Sequence, residues 1–412
     1  MFSERTNWTL AQNRYTQALE QARAGGARIL DLTASNPTRV GLEYESRAIL
    51  AALGSAQALD YDPQAKGLLV AREAVAGYYQ DNHGRGGKDV ASNVSTERIV
   101  LTTSTSEGYS YVFRLLCNAG DELLVPKPSY PLFEFLADLQ DVKLVPYPLI
   151  YDHGWQMDFP SMEKAVTART RAVVVVHPNN PTGSYVKATE LEELNGFCRN
   201  RGLALIVDEV FLDYRLKSGH VGTAATGCLV ERSSTAFAAS LAENREVLTF
   251  TLSGLSKISA LPQMKVAWVV TSGPESEVAA AMARLEVIAD TYLSMNAPIQ
   301  WAVPALLGQR KNIQRQLLER VRRNLAELDR QLAGQKACER LSVEGGWYAV
   351  LRVPVTRSDE ELAIELVREE SVLVHPGNFY DFPGDGYLVL SLITREGEFG
   401  EGVARVLEHL SA

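Results

Sequence analysis

The sequence predicts an α/β fold: a mostly parallel central sheet sandwiched by helices, with a smaller α+β domain formed by both ends of the chain. Short apolar runs alternate with amphipathic helical stretches between residues 50 and 285. Several runs, such as residues 172–176, are apolar without alternation, which is typical of strands buried on both faces of a parallel sheet. After residue 285 the pattern changes to a long, charged helix followed by shorter elements.

The elements follow in order. Strands of the central sheet are predicted at residues 98–102, 122–125, 143–146, 172–176, 203–207, 247–252 and 266–270, with helices at 106–117, 130–139 and 188–201. A long helix at 312–332 precedes strands near 341–352, 371–375 and 387–392 and a closing helix at 397–410. A strand at 29–32 is expected to join this second part. We therefore predict an N-terminal arm with part of the small domain at 1–49, a large domain at 50–285, and an interdomain helix with the small C-terminal domain at 286–412.

Composition narrows the class of protein. A chain of 412 residues is long enough for about two domains, and its 46% hydrophobic and 22% charged residues are ordinary for a globular protein. No apolar run approaches the ~20 residues that span a bilayer, and the polar N-terminus lacks a signal sequence. A net charge of −9 without a basic tract argues against nucleic acid and anionic membranes as partners. Scattered thiols at Cys117, Cys198, Cys228 and Cys338 favour the reducing cytoplasm and predict no metal site.

Hydroxyl residues follow the first strand of the predicted sheet. Ligands of an open α/β sheet collect beyond the carboxyl ends of its strands. Ser104, Thr105 and Ser106 stand there, at the start of a helix, where free backbone N–H groups and the helix dipole suit a phosphate. A plain helix N-cap explains the same residues. The glycine-rich stretch at 83–88 lacks the spacing of a phosphate loop and is predicted to be a surface turn.

Polar residues also follow two later strands. Asn180 lies in a loop with two prolines and a glycine, where it can present an amide to a ligand or form an ordinary Asx-type turn. Asp208 follows directly after a buried strand, and its charge needs a partner. That partner can be a structural arginine, a helix N-terminus or a protonated ring nitrogen.

Lys257 ends the run Ser253-Gly254-Leu255-Ser256-Lys257 after the strand at 247–252. Lysine is rarely placed among small residues in the interior without a task. Burial or cationic neighbours lower the pKa of such an amine and free it to attack a carbonyl group. The alternative is a surface lysine whose stem covers apolar atoms.

In this order along the chain, these features resemble the class I and II aminotransferases, which are fold-type I enzymes dependent on pyridoxal 5'-phosphate (PLP). The most specific motifs are Asn180-Pro181-Thr182-Gly183, Asp208-Glu209-Val210 and the run that ends at Lys257. The resemblance extends from Asn36-Pro37 to the closing helix. It implies the fold-type I architecture, a PLP cofactor and a transamination that moves an amino group from an amino acid to an oxo acid or another carbonyl acceptor in two half-reactions.

The resemblance also implies a role for each matching residue. Lys257 matches the lysine that forms the Schiff base and moves the proton, and Asp208 matches the carboxylate that keeps the pyridine nitrogen protonated. Asn180 matches the donor to the ring oxygen at the border of the substrate site, and Tyr130 matches the aromatic residue stacked on the ring. Further implied cofactor contacts are Ser104, Thr105, Ser106, Ser256, Lys265 and, from a neighbouring subunit, Tyr61. The match at Tyr61 implies a homodimer with shared active sites.

Four positions depart from the family pattern. Phe211 replaces a tyrosine that donates to the ring oxygen, Lys265 replaces an arginine, and Gly254 replaces a serine. Val389 stands two residues before Ser391, where the family has the arginine that clamps the substrate α-carboxylate. Without that bidentate guanidinium, carboxylate recognition must come from elsewhere. Arg39 and Arg395 are possible substitutes, although by sequence alone neither is favoured over a solvated surface arginine.

The leading hypothesis is therefore a PLP-dependent aminotransferase. A C–S lyase, a racemase or a decarboxylase would use the same Lys257 and Asp208, because which Cα bond breaks depends on its alignment with the ring. A PLP-sensing transcription regulator is a remote alternative, since it needs a DNA-binding segment ahead of this fold and the net charge is negative.

Overall fold

The computed structural model describes residues 1–83, 94–131, 133–216 and 236–411. Most of the stretch at 83–88 and Cys228 lie outside the described residues. The strands are β1 (Leu30–Asp31), β2 (Ile99–Thr102), β3 (Glu122–Lys127), β4 (Lys143–Tyr151), β5 (Trp155–Met157), β6 (Thr170–Val176), β7 (Ala204–Asp208), β8 (Thr249–Gly254), β9 (Ala267–Ser272), β10 (Glu339–Arg340), β11 (Tyr348–Arg352), β12 (Val372–Leu373), β13 (His375–Pro376) and β14 (Tyr387–Ser391).

An eight-stranded sheet forms the centre of the molecule, in the order β2-β9-β8-β7-β6-β3-β4-β5. The five strands from β8 to β4 in this order run parallel, whereas β2, β9 and β5 pair antiparallel to their neighbours. Each of the seven predicted strands is present. The α/β prediction of a mostly parallel central sheet is therefore confirmed.

Helices cover both faces of this sheet, because its strands carry apolar residues on both faces. In β6, Val174 belongs to the core under one layer of helices, while Val173 and Val175 belong to the core on the other face. The helices are α1 (Arg14–Ala24), α2 (Ser46–Ala52), α3 (Leu69–His83), α4 (Thr105–Leu116), α5 (Phe133–Asp138), α6 (Phe159–Ala165), α7 (Ala188–Arg201), α8 (Leu255–Ile258), α9 (Glu275–Tyr292), α10 (Ala297–Gly308), α11 (Arg310–Leu332), α12 (Asp359–Glu369) and α13 (Glu396–Ser411).

The two ends of the chain meet in a smaller assembly of strands and helices. β1 pairs in parallel with β12, and a four-stranded sheet has the order β10-β11-β14-β13. The N-terminal segment thus joins the C-terminal part, as the sequence predicts. The domain boundaries after residues 49 and 285 stay predictions. Among the described residues, no helix is long and apolar enough to cross a membrane.

Two predicted elements differ from the structure. The helix predicted at 130–139 begins only at Phe133, because Pro128 and Pro131 hold the preceding loop out of helical geometry. The strand predicted near 341–352 is shorter in the structure, where only β11 lies within this range and β10 ends just before it. Between β10 and β11, Gly345 donates its backbone N–H to the carbonyl oxygen of Gly183 in the central domain at 2.9 Å.

Candidate active site

Three parallel strand ends meet at one edge of the central sheet. Val176 of β6 pairs with Asp208 of β7, which in turn pairs with Leu252 of β8. The residues that follow β6 and β8 are the loop with Asn180 and the turn with Lys257. The register therefore brings Asp208, Asn180 and Lys257 to the same edge, which is where open α/β sheets bind ligands.

Asp208 is the last residue of β7, and each of its carboxylate oxygens accepts one hydrogen bond. Oδ1 accepts from the backbone N–H of Val210 at 3.0 Å, and Oδ2 accepts from the hydroxyl of Tyr109 at 3.1 Å. Burial raises the pKa of Asp208 to about 6, although these two donors and the charge of Lys257 act in the opposite direction. The carboxylate keeps unused lone pairs that can accept a proton-bearing group of a ligand.

Lys257 lies in the short helix α8, directly after β8. Its Nζ is 4.8 Å from the ring centre of Trp347, 5.5 Å from that of Phe211 and 3.5 Å from the carbonyl oxygen of Ser35. Burial lowers the pKa of Lys257 to about 8, and the negative charge of Asp208 partly opposes this shift. The amine therefore reaches its neutral, nucleophilic form at a lower pH than an ordinary lysine.

Asn180 is buried, and its carboxamide oxygen has no hydrogen-bond partner among the described residues. The loop around it is ordered by Asn179, which accepts hydrogen bonds from the N–H and the hydroxyl of Thr182 at 3.3 and 2.9 Å. Gly183 adopts a φ of +69°, and a Cβ there would lie 2.5 Å from the carbonyl oxygen of Gly345. The loop thus requires this glycine, and it holds a buried carboxamide oxygen that accepts no hydrogen bond from the described residues.

The predicted phosphate cup lies at the N-terminus of α4. Ser104 caps this helix, its Oγ accepting from the N–H of Glu107 at 3.2 Å. Ser104, Thr105 and Ser106 are partly exposed. The helix N-terminus therefore presents hydroxyl groups and a positive dipole end to solvent, next to the edge that carries Asp208.

The other predicted site residues occupy more exposed positions. Tyr130 is 44% exposed, and its partial burial together with the charge of Asp208 raises its pKa. Ser256 is partly exposed beside Lys257, and Lys265 is exposed with a φ of +53°. Two predicted residues are fully on the surface: Tyr61 and Arg39.

Aromatic residues of the small domain, together with Phe211 of the central domain, lie beside Lys257. Trp347 is fully buried between Phe211 and Tyr214, with ring centres 5.2 and 5.1 Å apart, and Tyr348 lies 6.3 Å from Phe211. We call Phe211, Trp347 and Tyr348 the aromatic wall. Val389 of β14 pairs with Val350 of β11, two pairs along from Tyr348 and Ser391, so Val350 and Val389 share the sheet face of Tyr348 and Ser391. Val389 is fully buried.

Three residues near the site were not predicted from the sequence. Tyr109 donates to Asp208, but a tyrosine in an amphipathic helix looks like a core residue. Tyr214 donates its hydroxyl to the backbone oxygen of Lys257 at 2.6 Å, although its spacing from Asp208 does not match the family tyrosine. Glu209 is buried and accepts from Ser240 Oγ and Leu241 N at 2.7 and 2.6 Å, and burial raises its pKa to about 8. The sequence marks Glu209 only by its position in the Asp208-Glu209-Val210 motif.

The family model described as aminotransferase class I and II matches residues 8–396. The chain belongs to this aminotransferase family. It is therefore an enzyme, a transaminase, as predicted from the resemblance.

Curated relatives of this aminotransferase carry consistent names. The chain is 27% identical over 395 residues to the glutamate-pyruvate aminotransferase AlaA of Haemophilus influenzae, a match that covers 94% of this chain and 91% of the relative. It is 28% identical over 395 residues to the alanine aminotransferase of Mycobacterium bovis, covering 93% of this chain and 86% of the relative.

Solved structures share the fold of the aminotransferase. The alanine aminotransferase from Pyrococcus furiosus superposes with a TM-score of 0.84 at 20% identity, covering 100% of both chains. The aspartate aminotransferase from Thermotoga maritima superposes with a TM-score of 0.77 at 20% identity, also covering 100% of both chains. The predicted fold-type I architecture is confirmed by these matches.

Proposed function

We propose that this aminotransferase binds PLP at the edge formed by β6, β7 and β8, with Lys257 as the lysine that holds it. One observation carries the proposal: the Lys257 amine and the Asp208 carboxylate lie partly buried at the same edge of the sheet, where the charge of each acts on the pKa of the other. Bound PLP would supply an electron sink for the carbanion that forms when the substrate Cα loses its proton.

The chemistry of the residues present fits the groups of PLP. Asp208 would hold a proton on the pyridine nitrogen, since its carboxylate is kept in place by Tyr109 and Val210 and retains free lone pairs. Asn180 would donate a hydrogen bond from its Nδ2 amide to the ring oxygen, as the family pattern implies. Tyr130 would cover the ring face. The phosphate would lie at the N-terminus of α4, bound by the remaining predicted contacts: Ser104, Thr105, Ser106, Ser256 and Lys265.

Lys257 would also move the proton in each half-reaction. Its Nζ can take a proton from the substrate Cα only when the amine is neutral, and burial shifts the amine toward that form. The aromatic wall would limit the water around Nζ, because the rings of Trp347 and Phe211 lie 4.8 and 5.5 Å from it. Phe211 has no hydroxyl, so the ring oxygen would receive its hydrogen bond from Asn180 alone among the residues matched to this role.

The names of the relatives favour alanine and glutamate as amino donors and pyruvate as an acceptor. The aromatic wall beside Lys257 is consistent with a small donor side chain. Arg39 is the proposed ligand of the α-carboxylate, since it lies four residues after Ser35, whose carbonyl oxygen is 3.5 Å from Lys257 Nζ. Val389 provides no charge for this purpose.

The assembly proposed for the cell is a cytoplasmic homodimer with shared active sites. Tyr61 is 85% exposed and lies in a surface hollow of about 230 Å³ beside Gln64, Leu293 and Ser294. An exposed tyrosine of this kind is available to a second subunit, which supports the predicted contact of Tyr61 with the neighbouring phosphate.

The experiment compares the wild-type enzyme with Lys257→Ala and with Lys143→Ala, which removes an exposed lysine of β4 as a control. Wild type and Lys143→Ala should be yellow, and borohydride should fix the cofactor to the peptide that contains Lys257. Lys257→Ala should lose both properties and its alanine–oxo acid transaminase activity. Colourless wild-type protein that takes up no PLP would contradict the proposal. Pyruvate released from cysteine without an oxo acid would favour the lyase instead.

A further inference from the structure

Tyr109 is the described side chain that donates a hydrogen bond to Asp208. Its hydroxyl lies 3.1 Å from Oδ2, and the residue is 2% exposed. The ring is held by Phe113 on the same helix and by Phe133 of α5, with ring centres 5.8 and 5.3 Å away. Burial and the nearby Asp208 charge raise the pKa of Tyr109, so the phenol keeps its proton and acts as a donor.

The position of α4 on the sheet brings this hydroxyl to the end of β7. Gly108 precedes Tyr109, and a Cβ on it would lie 2.9 Å from Leu252 Cδ2 and 3.0 Å from Val269 Cγ2. The missing side chain lets the first turn of α4 approach β8 and β9 closely. Tyr109 therefore reaches across to Asp208 from the turn that follows Ser104.

Helix α4 thus contacts both ends of the cofactor site. Ser104, Thr105 and Ser106 form its N-terminus, where the phosphate is proposed to bind, and Tyr109 holds Asp208, where the ring nitrogen is proposed to bind. A helix is rigid over these few residues. A hydrogen bond between α4 and the carboxylate therefore fixes the spacing between the two binding groups before the cofactor arrives.

We infer that Tyr109 is a positioning residue that locks the Asp208 carboxylate to helix α4 and so presets the site for both ends of PLP. The inference rests on the proposed cofactor site and adds a residue to which neither the family pattern nor the sequence motifs assign a role. Lys257 and Tyr130 also act electrostatically with Asp208, and Val210 donates from the backbone, but these groups lie outside α4.

The test compares Tyr109→Phe with Tyr147→Phe in the full-length enzyme. Tyr147 is an equally buried tyrosine whose hydroxyl donates to the carbonyl oxygen of Val174 at 2.9 Å, so it controls for the loss of one buried hydroxyl. Two readouts are independent of activity: the Kd for PLP, and the ¹⁵N chemical shift of the ring nitrogen in enzyme loaded with ¹⁵N-labelled PLP.

Tyr109→Phe should weaken PLP binding about tenfold or more, as expected for the loss of a hydrogen bond to a charged group. It should also move the ring-nitrogen signal toward the unprotonated value and lower kcat more than it raises KM. Tyr147→Phe should leave the Kd and the signal unchanged. Wild-type values in Tyr109→Phe, or equal changes in both variants, would overturn the inference.

Gly108→Ala provides a second, independent variant should Tyr109→Phe fail to fold. Its added methyl group pushes α4 away from Leu252 while the hydroxyl of Tyr109 is retained, and the same two readouts should shift in the same direction. An unchanged Kd and ring-nitrogen signal would contradict the role of Tyr109. Wild-type enzyme that binds no PLP would refute the proposed function itself, a result that the wild-type titration reveals before any variant is compared.

Discussion

The two sides of the cleft around Lys257 are built from different chemistry. On the strand-end side, Asp208 and Asn180 bring polar groups to the carboxyl edge of the central sheet, and each matches the family pattern. The other side, here called the small-domain side, consists of Trp347, Tyr348 and Val389 together with Phe211 of the central domain. These side chains are buried, and Phe211 and Val389 depart from the family pattern. We propose from this difference that cofactor binding and substrate binding are separable, with the strand-end side binding the cofactor and the small-domain side selecting the donor.

Both sides of the cleft shift the pKa of the Lys257 amine. The pH dependence of its reaction with PLP is therefore the largest expected effect. Burial lowers the pKa of Lys257 to about 8, whereas Asp208 raises it. Because only the neutral amine attacks a carbonyl group, the rate at which cofactor-free enzyme captures PLP should rise with pH and level off above pH 8. Between pH 6 and pH 8 the neutral fraction grows roughly 50-fold. Stopped-flow absorbance measures this rate. Dividing it by the rate for N-acetyl-lysine at the same pH cancels the contribution from the ionisation of PLP.

Asp208→Asn separates the effect of burial on the pKa of Lys257 from the effect of the Asp208 charge. Removing the negative charge takes away the effect that raises the pKa of Lys257, so the midpoint should move to lower pH. A wild-type midpoint close to that of N-acetyl-lysine would contradict the burial of Lys257 by the aromatic wall. A midpoint that rises in Asp208→Asn would contradict the electrostatic interaction between Asp208 and Lys257.

Val389→Arg tests whether the small-domain side selects the donor. Val389 lies between Val350 and His375 in the strand register, and burial lowers the pKa of His375 to about 4, so neither strand neighbour carries a positive charge at neutral pH. A guanidinium on this face should improve kcat/KM for alanine relative to ethylamine about tenfold, since a hydrogen bond to a charged group contributes ~1.5–3 kcal/mol.

Val389→Met is the matched control, because it adds length without charge. It should change kcat/KM for alanine and ethylamine by the same factor. Equal changes for the two amines in Val389→Arg would show that this position does not face the substrate. The stability of each variant is measured by thermal unfolding alongside the kinetic assay, because an unpaired buried arginine costs ~3–5 kcal/mol in the free enzyme.

The sequence predicted the strand-end side well because that side follows from local patterns. A buried apolar run such as Val173–Val175 ends at a fixed edge, so whatever follows it must lie there, and Asn180 and Asp208 do. Tyr109 could not be predicted, because its hydrogen bond depends on how closely α4 approaches the sheet at Gly108. The aromatic wall depends on a contact between distant segments, Gly345 with Gly183, that periodicity does not encode. The roles of the individual residues stay predictions.

Glu344→Gln has the smallest expected effect and tests how the aromatic wall is held. Glu344 accepts hydrogen bonds from Lys187 Nζ at 2.7 Å and from the N–H of Tyr185 at 2.9 Å, just before the segment that leads to Trp347. Glutamine can still accept from both donors, but the nearly buried charge of Lys187 loses its partner. We expect a loss of ~1–2 kcal/mol in the free energy of unfolding. Because Trp347 is then held less firmly beside Lys257, kcat/KM should fall by roughly two- to fivefold.

Glu339→Gln is the control for this change. Glu339 pairs with Arg352 at 2.9 Å in the same small sheet, but both side chains are about half exposed, so the loss should be under ~0.5 kcal/mol with no change in kcat/KM. Equal effects of the two variants on unfolding and on kcat/KM would mean that the Glu344–Lys187 pair does not position the wall. A selective loss in Glu344→Gln would show that the apolar side of the cleft depends on a polar contact with the central domain, just as Asp208 on the opposite side depends on its hydrogen-bond donors.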